Sequence, residues 1–181
     1  MIDIEILEKK EKKIPSKTTV YELTYKENGK IKVKEAHKAL EIVKILVYHT
    51  KKDAFILTKQ FRPLIYVNIP NNAIRYELCG GRADKDLPIE DIAKEELIEE
   101  IGYKVDNLQK ITTLTTSNLM HIYYVEVDKN NKINNGGGVD DENIDVVYLP
   151  TKEAKKFMFD QNKPKRPALM FAFCWWFHMR E

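Results

Sequence analysis

The segment from Asp84 to Glu100 constrains this chain more than any other, because it carries eight acidic residues against only Lys85 and Lys94. The chain as a whole is close to neutral, with 30 basic and 28 acidic residues, so the local excess of acid needs either solvent or a counter-charge. The segment predicts a helix from about Pro88 to Ile101, since proline suits a first turn and Gly102 can end the helix in a left-handed cap. At roughly 100° per residue, Glu96 and Glu100 lie about 40° apart on the helical wheel. Ile89, Ile92, Ala93 and Leu97 project to the same side. Asp91 and Glu95 point the other way, as acids on a solvated face should. Glu96 and Glu100 are therefore two like charges, at a spacing that is destabilising by itself, on or beside the face that packs inward. No lysine is spaced nearby to reach that side, so a hard divalent cation with oxygen ligands is the better partner. Gly80-Gly81 precede the helix, and consecutive glycines let the backbone approach a ligand or metal closely.

The rest of the chain reads as one folded domain with a short extension. Apolar residues make up 43% and aromatics 10% of the 181 residues, enough to fill a core. Near-neutral charge argues against a nucleic-acid partner held by bulk phosphate attraction. Two separated cysteines, Cys79 and Cys174, form neither a disulfide framework nor a zinc pattern and suit a reducing compartment. The charged N-terminus does not resemble a secretory signal, and the stretch Ala168–Met179 is too short to span a bilayer, so no membrane partner is expected and the location expected is the cytoplasm. Alternation at Ile2, Ile4 and Ile6 suits a strand, and Asn28-Gly29 between β-forming runs predicts a hairpin. Strands are expected at 41–49, 54–58, 111–114, 121–127 and 145–149, with helices over 152–159 and from 167 to the end. Residues 61–76 are expected to be mostly loop, and 130–141, with three consecutive glycines, a flexible loop. Strands, one helix, strands and then helices make an α+β order. His37, His49, His121 and His178 lack metal spacing and are expected to be structural. The aromatic C-terminal segment is assigned to core or dimer packing.

The 23-residue frame from Gly81 to Tyr103 resembles the Nudix box, G-x5-E-x7-R-E-U-x-E-E-x-G-U, where U is a bulky apolar residue. Gly81, Glu96, Leu97, Glu99, Glu100 and Gly102 fall on the pattern, and Tyr103 is acceptable at its end. Leu87 stands where the first glutamate belongs, and Glu95 replaces the arginine that usually partners the box glutamates. Ahead of the box, KQFRPLIY (with Gln60, Phe61 and Arg62) and YELCGGR (Tyr76–Arg82) resemble segments of the Nudix enzymes that act on ADP-ribose and nucleotide sugars. With the later Gly-Gly-Gly they look most like the UDP-sugar diphosphatases.

The resemblance implies a Nudix fold, a mixed β-sheet sandwiched between helices, over residues 41–181, with an antiparallel strand extension over 1–40 that dimerises. It implies Mg²⁺, with Mn²⁺ as a possible substitute, held by Glu96, Glu99, Glu100, Glu142 and the Gly80 carbonyl. Glu99, Asp140 and Glu142 become the catalytic carboxylates, and Arg62, Arg82 and Glu77 the substrate-binding residues. The implied reaction is hydrolysis of a nucleoside diphosphate sugar, UDP-glucose-like, to a nucleoside monophosphate and a sugar 1-phosphate. Alternatives are an ADP-ribose pyrophosphatase, a Nudix enzyme on capped or triphosphorylated RNA ends, or a Nudix-fold ligand sensor without catalysis. The expected assembly is a homodimer whose N-terminal strands help wall the partner's active site.

Overall fold

Asn28 and Gly29, with φ of 50° and 77°, close the hairpin that the sequence predicts. Strand β2 (Val20–Glu27) runs back along β3 (Lys30–His37) with Glu27 opposite Lys30, and a two-residue turn of this hand matches the twist of the strands it joins. Strand β1 (Ile4–Lys12) pairs with the other edge of β2, giving a three-stranded antiparallel sheet in the order β1-β2-β3. This computed structural model describes residues 4–12, 19–140 and 142–180; Ile2 of the expected first strand lies outside them. Residues Met1–Leu40 form one compact unit and Glu41–Glu181 a second.

The second unit is built on six strands: β4 (Ile42–His49), β5 (Ala54–Phe61), β6 (Ile74–Glu77), β7 (Gln109–Thr115), β8 (Leu119–Val127) and β9 (Ile144–Pro150). Their order is β6-β5-β4-β8-β7, with β9 also paired to β5. Strands β4 and β8 run parallel and the other pairs antiparallel. A central strand covered on both faces needs apolar residues at both parities, and β4 supplies them. Val43, Ile45 and Val47 join a core with Ile92, Ala93, Leu97 and Ile101. Leu46, with Phe55 and Leu57, joins a second core with Leu169, Ala172, Phe173 and Trp176. Helix α2 (Ile89–Glu96) therefore covers one face of the sheet, while α3 (Thr151–Phe159) and α4 (Pro167–His178) cover the other. The result is the expected α+β sandwich. In the aromatic segment Phe173 and Trp176 are core: they pack against Phe55 with ring centroids 4.7 and 4.9 Å apart, Trp176 edge-on, while Phe171 is exposed.

Several elements differ from the sequence reading: strand β5 runs on to Phe61 and β6 begins at Ile74, both within residues expected to be loop. Residues expected to be loop contain the short helix α1 (Pro63–Asn68), opened by a proline at its first position and by the Tyr66 N–H bond to the Arg62 carbonyl at 3.0 Å. None of its residues is buried, so no apolar period marks it in the sequence. Helix α2 ends earlier than expected, at Glu96, and continues as a wider π-helical turn over Leu97–Ile101. Gly102, with φ of 78°, then caps it: its N–H reaches the Ile98 carbonyl at 3.2 Å and that of Tyr103 reaches Leu97 at 3.1 Å, the paired pattern of a glycine C-cap. Single π-turns inside helices occur frequently at functional sites. Among the described residues, no helix is long and apolar enough to cross a membrane.

Candidate active site

The run Cys79–Ala83 lies along β4 like a further strand. The Ile45 N–H bonds to the Cys79 carbonyl at 2.8 Å, the Val43 N–H to Gly81 at 3.0 Å, and the Ala83 N–H to Glu41 at 2.8 Å. Both glycines are needed for this approach. Gly80 has φ of 124°, and a Cβ there would run into the Val43 carbonyl; a Cβ on Gly81 would strike the Glu96 carboxylate. The backbone is thereby wedged between β4 and the glutamate-bearing turn, and the Gly80 N–H donates to Glu100 Oε2 at 2.7 Å.

The second acidic loop is fastened to the same turn. Gly136, Gly137 and Gly138 all take positive φ, which lets successive N–H groups point one way. The Gly137 N–H reaches the Glu100 carbonyl at 2.9 Å and the Gly138 N–H reaches Glu99 at 3.0 Å. These carbonyls belong to the last helical turn, where a carbonyl has no N–H donor within the helix. The glycine run, expected to be a flexible loop, is thus a cap on the helix that carries the glutamates. It sets Asp140 and Glu142 beside them.

One cavity of about 800 Å³ brings together Arg62, Gly80, Arg82, Glu96, Glu99, Glu100, Asp140 and Glu142, with Gln60, Asp84 and Lys85 also on its wall. Burial pushes the Glu96 carboxyl up to about 7, with Glu100 adding repulsion. Burial also raises Glu100, against the opposing pull of Lys44 and the Gly80 N–H. Carboxylates held where their ionised form is disfavoured, and supplied with hard oxygens only, suit a divalent cation of the magnesium type. As they stand, however, no three His, Cys, Asp or Glu side chains among the described residues converge tightly enough to hold an ion. Glu100 is turned to Gly80, and Glu99 is paired to Lys85 at 3.1 Å.

A positive partner that the sequence reading lacked also stands here. Lys44, 5% exposed in the middle of β4, donates to the carbonyl of Gly80, and to that of Leu78 at 3.4 Å. Its charge favours the ionised forms of both Glu96 and Glu100. The expectation that no lysine reaches this side considered the helix and its neighbours in sequence; the lysine comes from a strand some fifty residues earlier. The Gly80 carbonyl, expected as a metal ligand, is its acceptor.

The NUDIX domain profile matches residues 40–170, most of the chain. The chain belongs to the Nudix hydrolase family. It is 35% identical over 147 residues to a protein of Pectobacterium atrosepticum named GDP-mannose pyrophosphatase, covering 78% of this chain and 76% of the relative. A protein of the same name from Escherichia coli is 37% identical over 140 residues, covering 74% and 73%. The crystal structure of an ADP compounds hydrolase superposes with a TM-score of 0.76 over 98% of this chain and 95% of its own, at 19% identity, a likeness of fold.

Within this Nudix frame the departures at the box have local consequences. Glu95, in place of the box arginine, faces Lys85, whose Nζ bonds to Glu95 at 2.6 Å and to Glu99 at 3.1 Å. The lysine of the preceding loop supplies a positive charge beside Glu95 and Glu99, where Lys94 of the helix pairs instead with Glu90 and Asp91, although the Lys85 pairs are exposed and add little stability. Leu87, in place of the first glutamate, is exposed. Glu77 is not on the cavity wall. It is fully buried and accepts a two-pronged bond from Arg62, Nε at 3.1 Å and Nη2 at 2.7 Å. Arg75 and Arg166 stand 3.7 and 3.8 Å from the same carboxylate. Glu77 thus aims Arg62, and Arg62 lines the cavity. Cys79 is buried, and burial raises its thiol well above the ordinary value, the opposite of an activated nucleophile. His121 bonds to Glu41 at 2.7 Å and to Thr113 at 3.2 Å, while His49 accepts from the Lys52 N–H; neither lines the cavity.

Proposed function

We propose that this Nudix hydrolase cleaves the diphosphate bond of a nucleoside diphosphate sugar, adding water across it to give a nucleoside monophosphate and a sugar 1-phosphate. The observation that carries the reading is the cavity itself, which sets Arg62 and Arg82 beside a bank of buried and loop carboxylates. Arginine's planar fork matches phosphate oxygens, so these two side chains hold the diphosphate. Glu96, Glu99, Glu100 and Glu142 would hold Mg²⁺, or Mn²⁺ in its place, which when bound screens the anionic diphosphate and lowers the pKa of the attacking water. Glu142 takes the water's proton. It lies near enough to oppose ionisation of Glu96 and Glu100 and to favour the charged form of Arg62. Asp140 lines the same wall, held at a positive φ of 53°, and Glu99 is the third candidate base.

The relatives named GDP-mannose pyrophosphatases support a GDP-sugar first, with the UDP-glucose-like substrate and ADP-ribose as the next readings. Incubation with GDP-mannose, UDP-glucose and ADP-ribose in Mg²⁺, with product analysis, is expected to give GMP and mannose 1-phosphate fastest. Failure to hydrolyse any of the three would leave the non-catalytic sensor as the better reading.

Asp140→Asn and Glu142→Gln divide the loop's work. At least one is expected to lose about 10²-fold in kcat, the scale of general base catalysis, and the larger loss is expected in Glu142→Gln. Near wild-type rates in both would move the proton acceptor to Glu99.

The proposed assembly is a homodimer formed through the N-terminal sheet, in the cytoplasm. Strand β3 is exposed along its length, with Ile31 and Val33 at 67% and 55%, and small sheets with bare apolar residues tend to pair. Light scattering is expected to report about twice the chain mass at micromolar concentration. A monomer that keeps full activity after removal of residues 1 to 36 would contradict the assembly.

A further inference from the structure

The backbone on both sides of Arg166 is fixed. The Tyr76 N–H bonds to the Pro164 carbonyl at 2.8 Å, Arg75 Nη2 reaches the Lys165 carbonyl at 3.4 Å, and Pro167 opens α4 directly after it. The Arg166 side chain nevertheless stays 42% exposed, with its Nε 3.8 Å from Glu77, too far for a hydrogen bond. It lines a second recess of about 330 Å³, which adjoins the catalytic cavity along Arg62, Gly80, Gly81 and Arg82 and falls in the range of small-molecule pockets.

Charge and shape both limit what this recess can take. Lys44, Arg62, Arg82 and Arg166 line it, and none of its lining residues is an acid. The acid beneath is Glu77, one carboxylate shared by Arg62, Arg75 and Arg166. The excess of positive charge is felt at Arg75, which burial lowers first and repulsion from Arg166 lowers further, with Glu77 opposing. Ile42 and Leu64 add apolar wall, and among the described residues no aromatic ring lines the recess, such as a nucleobase commonly stacks on. A neutral hexose would leave these cations partly desolvated and without a counter-charge.

We propose that this recess receives the sugar half of the substrate and selects a sugar that carries its own anionic group, such as the carboxylate of a uronic acid, with Arg166 as the residue that reads it. The assignment rests on the diphosphate-sugar reading of the neighbouring cavity. A diphosphate held on Arg62 and Arg82, which border both cavities, presents one of its halves to Arg166. A carboxylate there accepts a guanidinium fork through both oxygens, whereas the hydroxyls of a neutral sugar make only the weaker, singly charged contact.

GDP-mannose and GDP-mannuronate, which differ by that carboxylate alone, are the matched probes. Their Kd values are measured by calorimetry in EDTA, and their kcat/KM values in Mg²⁺ with product analysis. In the wild type the mannuronate is expected to be favoured about 10-fold or more, the scale of one charge-assisted hydrogen bond. Arg166→Gln is expected to bring that ratio close to one, and Arg166→Lys to keep most of it, with folding checked by circular dichroism. A wild-type ratio near one by both measurements overturns the proposal. So does a folded Arg166→Gln that keeps the wild-type ratio, whether both ligands are unchanged or both weakened equally, as they would be if the arginine held the shared diphosphate. Should Arg166→Gln fail to fold, the decision passes to crystals of the wild type with GDP-mannuronate. The carboxylate is expected there at hydrogen-bond distance from Arg166; a carboxylate outside the recess overturns the proposal. Binding with the expected preference but no cleavage in Mg²⁺ sinks the hydrolase reading and leaves the recess, and equal binding and cleavage of both does the reverse. Neither binding nor cleavage overturns both.

Discussion

Glu100→Gln is expected to lower kcat by on the order of 10³-fold, the upper scale for loss of a group that stabilises transition-state charge, while leaving the chain folded. The reasons are local. Glu100 is 4% exposed and accepts the Gly80 N–H at 2.7 Å. Glutamine has the same shape and keeps an oxygen for that donor, so the wedge of Gly80 between β4 and the helix survives. What it loses is negative charge, which the proposed metal needs and the apo fold does not. Burial raises the Glu100 carboxyl, with Lys44 only partly opposing the rise. A carboxyl whose folded pKa lies above its unfolded value costs stability once the pH exceeds the unfolded value, because folding then confines a charge that the unfolded chain solvates. At neutral pH the amide should therefore be at least as stable as the acid. Steady-state rates in Mg²⁺ and a urea midpoint, taken together, check this: activity falls and the midpoint holds or rises. Wild-type kcat would sink the role of Glu100, and a collapsed midpoint would make it a structural residue.

The part of this site that was legible in the sequence is the part written in local spacing. The phase of Glu96 and Glu100 against Ile89, Ile92, Ala93 and Leu97, the glycines before the helix and the glycine after it are all relations within about twenty residues, and helical geometry converts them directly into positions. The Asn28-Gly29 hairpin is legible for the same reason. What was missed depends on pairings across the fold. The lysine offsetting the glutamates comes from β4, and nothing in the helix names it; its one signal was a charge set within a strand otherwise apolar on both parities. The Gly-Gly-Gly segment read as flexible because glycine alone leaves the backbone free. Its N–H groups find the carbonyls of Glu99 and Glu100, and that partnership is invisible until β8 returns the chain to the helix. Helix α1 was missed because it buries nothing and so carries no period. Glu77 was read as a substrate contact because it sits in a site-adjacent motif, and only the fold shows three arginines gathered around it.

Glu77→Ala is expected to destabilise the protein by about 3–5 kcal/mol, the usual cost of removing one partner from a buried ion pair. The carboxylate is inaccessible to solvent and binds the Arg62 guanidinium through both oxygens, with Arg75 and Arg166 close behind. Arg75 Nε is buried and has no hydrogen-bond partner, so the glutamate's charge is its principal compensation. Removing the carboxylate leaves three cations without their shared counter-charge, Arg75 being the most buried of them with a side chain 15% exposed. Burial by itself would raise the Glu77 carboxyl, but the hydrogen bonds from Arg62 and the charges of Lys44, Arg62 and Arg166 outweigh it, and the net shift is downward. The sign then follows: a depressed folded pKa contributes stability above the unfolded carboxylate value of about 4.3, and that stability is lost as the pH falls through the folded value. Urea unfolding of wild type and Glu77→Ala should show the full gap at pH 7 and a shrinking gap below about pH 4. The two proteins should converge from the wild-type side. A gap smaller than about 0.5 kcal/mol at pH 7, the scatter of an ordinary surface substitution, would mean that the arginines find other partners and that Glu77 does not organise them.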